Sequence, residues 1–405
     1  MKKLCVAILL MVLLGCKKNQ GVDFSNLVLT QYAPVAVAKT STKKVFVHLL
    51  PWFETPETNS PAGTWGAHWT MANRNPNIES NGQKQIASYY YPLTGPYASG
   101  DKDIIEYQLL LMKLSGIDGV FIDWPGTQGG VLDYALMVRN TNSMVVLLNK
   151  VGLKYAIVYE DQNLNNNLVL DKVAQAKTDM DYIASNYFSQ SNYETIGGQP
   201  LLLDFGPQAL TNPSDWTSVF SALSPKPAFF TLWGFNNQAG SNALGQFAWV
   251  VQANTTSLAN FYANSYTGIK IGAAYPGFQD YYAAGGWPGA LGWQIAYNST
   301  GTFNTTLDIA LATSNNYLQL VTWNDYGEGT MIEPTTQFGY DFLTLLQQKL
   351  GISTFVKSDL ENVKKLYDLR KSNAGNSNNQ KALSQVFYYM VSLQMDKAKE
   401  ILNQF

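Results

Sequence analysis

The sequence predicts a (β/α)8 barrel of the TIM type, followed by a C-terminal helical extension. Two observations carry that reading. Short apolar strands alternate with helical segments along residues 44–350, an order that implies parallel strands joined by helical crossovers. Counting along the chain gives eight such strands, the number that closes this barrel. An open doubly wound sheet is the competitor, but no glycine-rich nucleotide turn follows the first strand.

The elements follow in order. KVFVHLLPWF (44–53) reads as a strand, and a long loop rich in Asn, Gly, Pro and Tyr runs from Glu54 to Gly100. DKDIIEYQLLLMKLSG (101–116) is a helix, with Ile104, Ile105, Leu109, Met112 and Leu114 at helical spacing and Gly116 closing it. DGVFIDW (118–124) is a strand and 130–151 a helix. KYAIVYED (154–161) is a strand and 168–188 a helix. PLLLDFG (200–206) is a strand and 213–223 a helix. AFFTLWGF (228–235) is the fifth strand, helix-like sequence follows at 255–264, and IKIGAAYPG (269–277) is the sixth strand. ALGWQIAY (290–297) is taken as the seventh, with a helix at 303–315. LQLVTWNDYGEGTMIEP (318–334) opens as the eighth, with a helix at 338–350 behind it. Residues 351–405 read as a helical cap interrupted by KSNAGNSNNQ. There are no internal repeats.

Composition narrows the function. Of 405 residues, 46% are apolar, enough to bury a large core, and only 14% are charged, with a net charge of −2. That is not the basic stripe of a nucleic-acid binder, so no nucleic-acid partner is expected. Aromatics reach 13%, including 24 Tyr and 10 Trp. Such rings offer an apolar face with a polar tip, which suits a wet groove as well as a core. Both cysteines lie in the first sixteen residues, so the body has no disulfide or thiolate site.

MKKLCVAILLMVLLGC has a basic start and an apolar run of signal-peptide length, too short to span a membrane. Leu13-Leu14-Gly15-Cys16 resembles a bacterial lipobox. This implies lipidation at Cys16, a tether over 17–43 and a lipid-anchored position in the bacterial cell envelope, at the outer membrane or periplasmic face.

Chemistry in a barrel of this kind gathers at the C-terminal ends of the strands. Strand one ends with His48, Trp52 and Glu54, strand two with Asp123 and Trp124, and strand three with Tyr159, Glu160 and Asp161. Strand four adds Asp204, strand five Trp233 and Asn236, strand six Tyr275. Strand eight brings Trp323, Asn324, Asp325, Tyr326 and Glu328. Acids and tryptophans on one rim fit sugar cleavage, where two carboxyls serve as acid and base and flat rings stack on pyranose faces. A lone acid at a strand end is as often a helix N-cap, and Asp204 reads that way. The only histidines, His48 and His68, are read as hydroxyl-binding side chains; with no HExxH spacing, no metal or other cofactor is expected. No G-x-S-x-G elbow is present.

Together, HLLPWFETPE, WGAHW, YYPLTGPYASGDKDIIEYQLLLMKLSGIDGVFIDW, YPGFQD and WNDYGEGTMIEP resemble glycoside hydrolase families 71 and 99, the fungal α-1,3-glucanases and the endo-α-mannosidases. The resemblance covers roughly residues 44–350. WNDYGE is similar to the glucanase motif, and EGT-x-IEP to the mannosidase motif, whose pattern is Asn-Glu-Trp-His-Glu-Gly-Thr. It implies that Glu328 is the general acid/base and that Asp325 stands at the first carboxylate, which in the mannosidases activates the sugar 2-hydroxyl and yields an anhydro-sugar. Asp325 is one methylene shorter than the family residue, and Tyr326 and Gly327 replace Trp and His. His68 and Trp69 match a His-Trp pair that lines the subsites, and Tyr97 lies within the matched first loop.

If the segment after Trp323 turns helically, carboxyls at i and i+3 come within about 5–6 Å at Cβ; if it is extended, the pair is wider and an inverting mechanism follows. The reading is therefore a monomeric glycoside hydrolase acting on α-linkages of an α-glucan or α-mannan poly- or oligosaccharide. A non-catalytic glycan-binding lipoprotein on the same barrel is the alternative.

Overall fold

The computed structural model describes residues 23–129 and 133–405; the Cys16 lipobox lies outside them. Eight parallel strands close into a barrel in chain order: β1 Lys44–Leu49, β2 Gly119–Trp124, β3 Lys154–Tyr159, β4 Gln199–Asp204, β5 Ala228–Leu232, β6 Ala243–Phe247, β7 Ile269–Ala274 and β8 Tyr317–Leu320. The seam closes where Val45 stands opposite Leu318 and Val47 opposite Leu320. The surrounding helices are α1 Lys102–Leu114, α2 Tyr134–Val151, α3 Lys172–Ile183, α4 Pro213–Val219, α5 Asn254–Ala263, α6 Gly301–Leu311 and α7 Asp341–Leu350.

One strand differs from the sequence reading. Barrel strand six is Ala243–Phe247, and 269–274 is the seventh. ALGQF has no β-branched residue and a glycine at its centre, so it carries little strand signal. It forms because its backbone completes the ladder between β5 and β7. The segment 290–297 is no barrel strand: only Gln294–Ile295 pair, antiparallel, with Phe278–Gln279 in a hairpin after β7.

Alternation along the strands sorts side chains into two layers. Phe46, His48, Phe121 and Gln319 share the inner face through the register of β1, β2 and β8. Phe46 stacks on Phe121 at 4.5 Å. Gly119 and Gly245 are required there, since a Cβ at either would strike the ring of Phe46 or Phe230. The outer face packs on helices: Trp124 stacks on Tyr182 of α3, and Tyr159 donates its hydroxyl to Asp179 at 2.6 Å.

Helices α8 Lys357–Ser372, α9 Ser377–Val391 and α10 Met395–Leu402 form the C-terminal extension. It is fastened to α1 by a buried two-pronged ion pair, Arg370 to Glu106 at 2.9 and 3.0 Å. Residues 23–43 have no regular structure and run along α9 and then on to the end of α7. The Thr30 N–H donates to Gln385, and the Thr40 and Ser41 N–H groups donate to the Leu350 carbonyl.

Candidate active site

Beyond Leu320 the chain makes a closed loop on the barrel mouth. The Thr322 N–H donates to the Thr330 carbonyl, the Ile332 N–H donates back to Thr322, and the Trp323 N–H donates to the His48 carbonyl at 2.7 Å. Within that loop Asp325 and Glu328 occupy one tight turn. The Asp325 N–H donates to Thr322 Oγ1 at 2.9 Å, and the Glu328 N–H donates to Asp325 Oδ1 at 2.8 Å. Of the two geometries open in the sequence, the turn is the one formed.

The two acids differ in setting. Asp325 is buried, whereas Glu328 is half-buried and takes a 2.9 Å hydrogen bond on Oε1 from the Tyr282 hydroxyl. Burial raises the pKa of Asp325 first, the Glu328 charge adds to it, and the N–H groups of Glu328 and Gly327 oppose it. Burial also raises Glu328; the Tyr282 hydroxyl lowers it and the charge of Asp280 adds to the rise. The pair therefore holds on to a proton. Asp325, although raised further than Glu328, is the acid that backbone N–H groups are placed to stabilise as an anion.

A second carboxyl pair faces the first. Asp123 ends β2 on the inner face, 3% exposed, and shares a hydrogen bond with Glu160, which follows β3. Burial pushes Asp123 up to about 7, while burial and the Asp123 charge raise Glu160. The charge of Asp123 also reaches Asp325. Among the described residues none of these four acids forms a salt bridge. Likewise, no group of three or more His, Cys, Asp or Glu is arranged there to hold a metal ion.

Half-buried aromatic rings follow the barrel strands toward the same end. Trp52 and His68 stack in parallel, 3.9 Å apart and 4° from coplanar, and Trp287 meets His68 edge-on at 5.5 Å. Opposite them, Trp249 meets His48 edge-on at 4.7 Å and Phe205 at 4.8 Å. Burial lowers His48 to about 3, so it is neutral, and its Nδ1 has no hydrogen-bond partner. His68, whose side chain stays 21% exposed, shifts the same way and lies 3.9 Å from Asp133.

Other residues expected at the site stand behind it. Glu333 is a buried carboxyl that receives Gln108 Nε2 and the Tyr97 hydroxyl at 2.8 Å, the Tyr326 hydroxyl at 2.9 Å and Trp323 Nε1 at 3.3 Å. Burial raises it to about 7 against those four donors. Asn324 completes this support by bonding the Leu50 backbone in both directions and the Tyr97 hydroxyl. Trp69 is fully buried, with its Nε1 on the Tyr97 carbonyl at 2.7 Å. Tyr97, Trp69, Trp323, Asn324 and Tyr326 thus hold the strand-eight loop from beneath.

Four more point elsewhere. Trp124 faces outward into α3. Asp161 accepts three backbone N–H groups from Gln208, Ala209 and Leu210 and fixes the loop after β4. Trp233 packs edge-on against Phe261 of α5. Tyr275 is buried and donates to Asn254 at the start of α5. Asp204, read as a helix cap, caps nothing: both its carboxyl oxygens are buried without a hydrogen bond. Sequence reasoning missed Glu333, Tyr282, Trp249, Trp287 and Phe205. Glu333 had a signal, an acid inside the apolar run MIEP, and Trp249 would have followed from reading β6.

No family model matches this chain, and no curated protein matches it. Solved structures do. A GH99 endo-α-mannosidase from Bacteroides thetaiotaomicron superposes with a TM-score of 0.59 at 16% identity, over 79% of this chain and 98% of that one. The same organism's GH99 endo-α-mannosidase in complex with bis-tris propane gives 0.57 at 17% identity, over 88% and 98%. A glycoside hydrolase-like protein gives 0.56 at 13% identity, over 82% and 99%. At such identities the likeness establishes architecture: this chain has the (β/α)8 fold seen in the GH99 endo-α-mannosidases.

Proposed function

We propose that the protein is a glycoside hydrolase that cleaves internal α-linkages in an α-glucan or α-mannan. The observation that carries this reading is the single turn holding Asp325 and Glu328 at the strand-eight mouth, with no cation among the described residues to quench either acid. Glu328 opens toward the mouth, and Tyr282 occupies its Oε1. Oε2 is then free to deliver the proton to the glycosidic oxygen as the C1–O bond breaks. Asp325, steadied by backbone N–H groups, takes a proton from the sugar 2-hydroxyl or from water. Asp123 and Glu160 bind sugar hydroxyls from across the site, and Trp52, His68, Trp249 and Trp287 form its walls. Structures that share this fold include glycoside hydrolases, which supports a carbohydrate substrate.

Glu328→Gln should lower kcat by about 10²–10⁴ while leaving oligosaccharide affinity nearly intact. Full turnover in that variant overturns the proposal. Binding without cleavage of every α-glucan and α-mannan by the wild-type chain points instead to a glycan-binding protein on the same barrel. We also propose that Cys16 is lipidated and anchors the protein in the cell envelope. Cys16→Ser should move it from the membrane to the soluble fraction, and unchanged fractionation contradicts the anchor.

A further inference from the structure

A cleft of about 350 Å³ lies against the hairpin that follows β7, a volume within the usual range of ligand sites. Trp293 lines it, half-buried and held flat by stacking on the buried Phe278 at 4.0 Å and 24°. Tyr89 lines it too, 45% exposed and braced edge-on against Tyr281 at 4.6 Å. Gln279, Asp280 and Gln294 line the cleft with them. Asp280 accepts the Leu291 N–H at 3.1 Å and so sets the turn that forms one edge of the cleft.

The same hairpin is bonded to the catalytic turn. The Gln279 N–H donates to the Glu328 carbonyl at 2.9 Å, and the Tyr281 N–H to the Gly327 carbonyl at 2.7 Å. Tyr282 bonds the Glu328 carboxyl directly. The cleft and the acid therefore sit on one rigid strap. Pre-set rings flanked by amide and carboxyl groups suit a pyranose, whose C–H face stacks and whose rim of hydroxyls needs donors and acceptors.

We propose that this cleft is a distal sugar-binding site that holds the same glycan strand beyond the bond being cleaved, with Trp293 as its platform. The assignment rests on the hydrolase reading above and extends it to chain-length selection: long substrates engage both the mouth and the cleft, and short ones only the mouth.

The test uses the full chain and two series of oligosaccharides, α-1,3-linked gluco- and α-linked manno-, from two to about eight sugars. Binding is measured on Glu328→Gln and turnover on the active enzyme. Trp293→Ala should weaken binding and raise KM about five- to tenfold for the longest members, with no change for the shortest, and Trp293→Phe should restore most of the loss. Unchanged binding and KM at every length overturns the site. An equal loss at every length also overturns it, since it marks damage to the strap. A folded wild-type chain that cleaves neither series, though the longer members bind, overturns the hydrolase reading, and the length dependence of binding in Trp293→Ala then decides the cleft. A chain that neither binds nor cleaves any member overturns both.

Discussion

The four acids of the strand-eight mouth and Glu194 at the opposite end of the barrel are treated in opposite ways. At the N-terminal end Glu194 is neutralised: Lys44 Nζ and the Tyr317 hydroxyl each bond its Oε1 at 2.6 Å. Lys43 nearby donates to the carbonyls of Thr313 and Asn315. At the C-terminal end Asp123, Glu160, Asp325 and Glu328 crowd together with no cation among the described residues. One end is organised for stability. The other buries carboxyl groups without a partner cation, which raises their pKa and costs folding energy.

The largest effect that would break this contrast is at Glu328, where loss of the carboxyl should remove turnover and spare folding. Next comes Glu194→Ala, which leaves Lys44 and the Tyr317 hydroxyl without their shared acceptor and should cost about 1–3 kcal/mol in a denaturant titration. Asp123→Asn should move stability the other way, raising it by about 1 kcal/mol while lowering activity. A destabilised Asp123→Asn, or a neutral Glu194→Ala, contradicts the assignment of roles to the two ends.

A smaller effect is the pH dependence of the mouth. Burial pushes the Asp123 carboxyl up to about 7 in the folded chain, against an ordinary value near 3.9 in the unfolded chain. Between those values the folded state binds more protons, so the stability contributed by this group falls as pH rises through the window. Melting temperature should therefore decline from about pH 4 toward pH 7, and Asp123→Asn should flatten the slope. An unchanged slope in that variant removes Asp123 from the account.

Much of this contrast is legible in the sequence, and the limits are physical. Seven barrel strands announce themselves by short apolar runs; β6 does not, because ALGQF owes its strand to the neighbours on either side. Missing it hid Trp249, which continues the inner-face alternation of Gly245 and Phe247. The acids of the strand-eight turn are visible as a spaced pair between glycines. What sequence alone did not sort is direction. Asp123 and Trp124 are adjacent, but the pleat sends one into the mouth and the other into α3. Likewise, Tyr97, Trp323, Asn324 and Tyr326 look like rim residues until Glu333 is seen drawing them beneath the loop. A buried acid that gathers distant hydroxyls leaves no periodic trace.

The most direct test is a pH titration of the side-chain carboxyl carbons by NMR, assigned with Asp123→Asn, Asp325→Asn and Glu328→Gln. The account predicts that the mouth acids keep protons well above the usual carboxylate range, with a resonance titrating near 7 that disappears in Asp123→Asn. All mouth carboxyls titrating near the ordinary value of about 4 would contradict it.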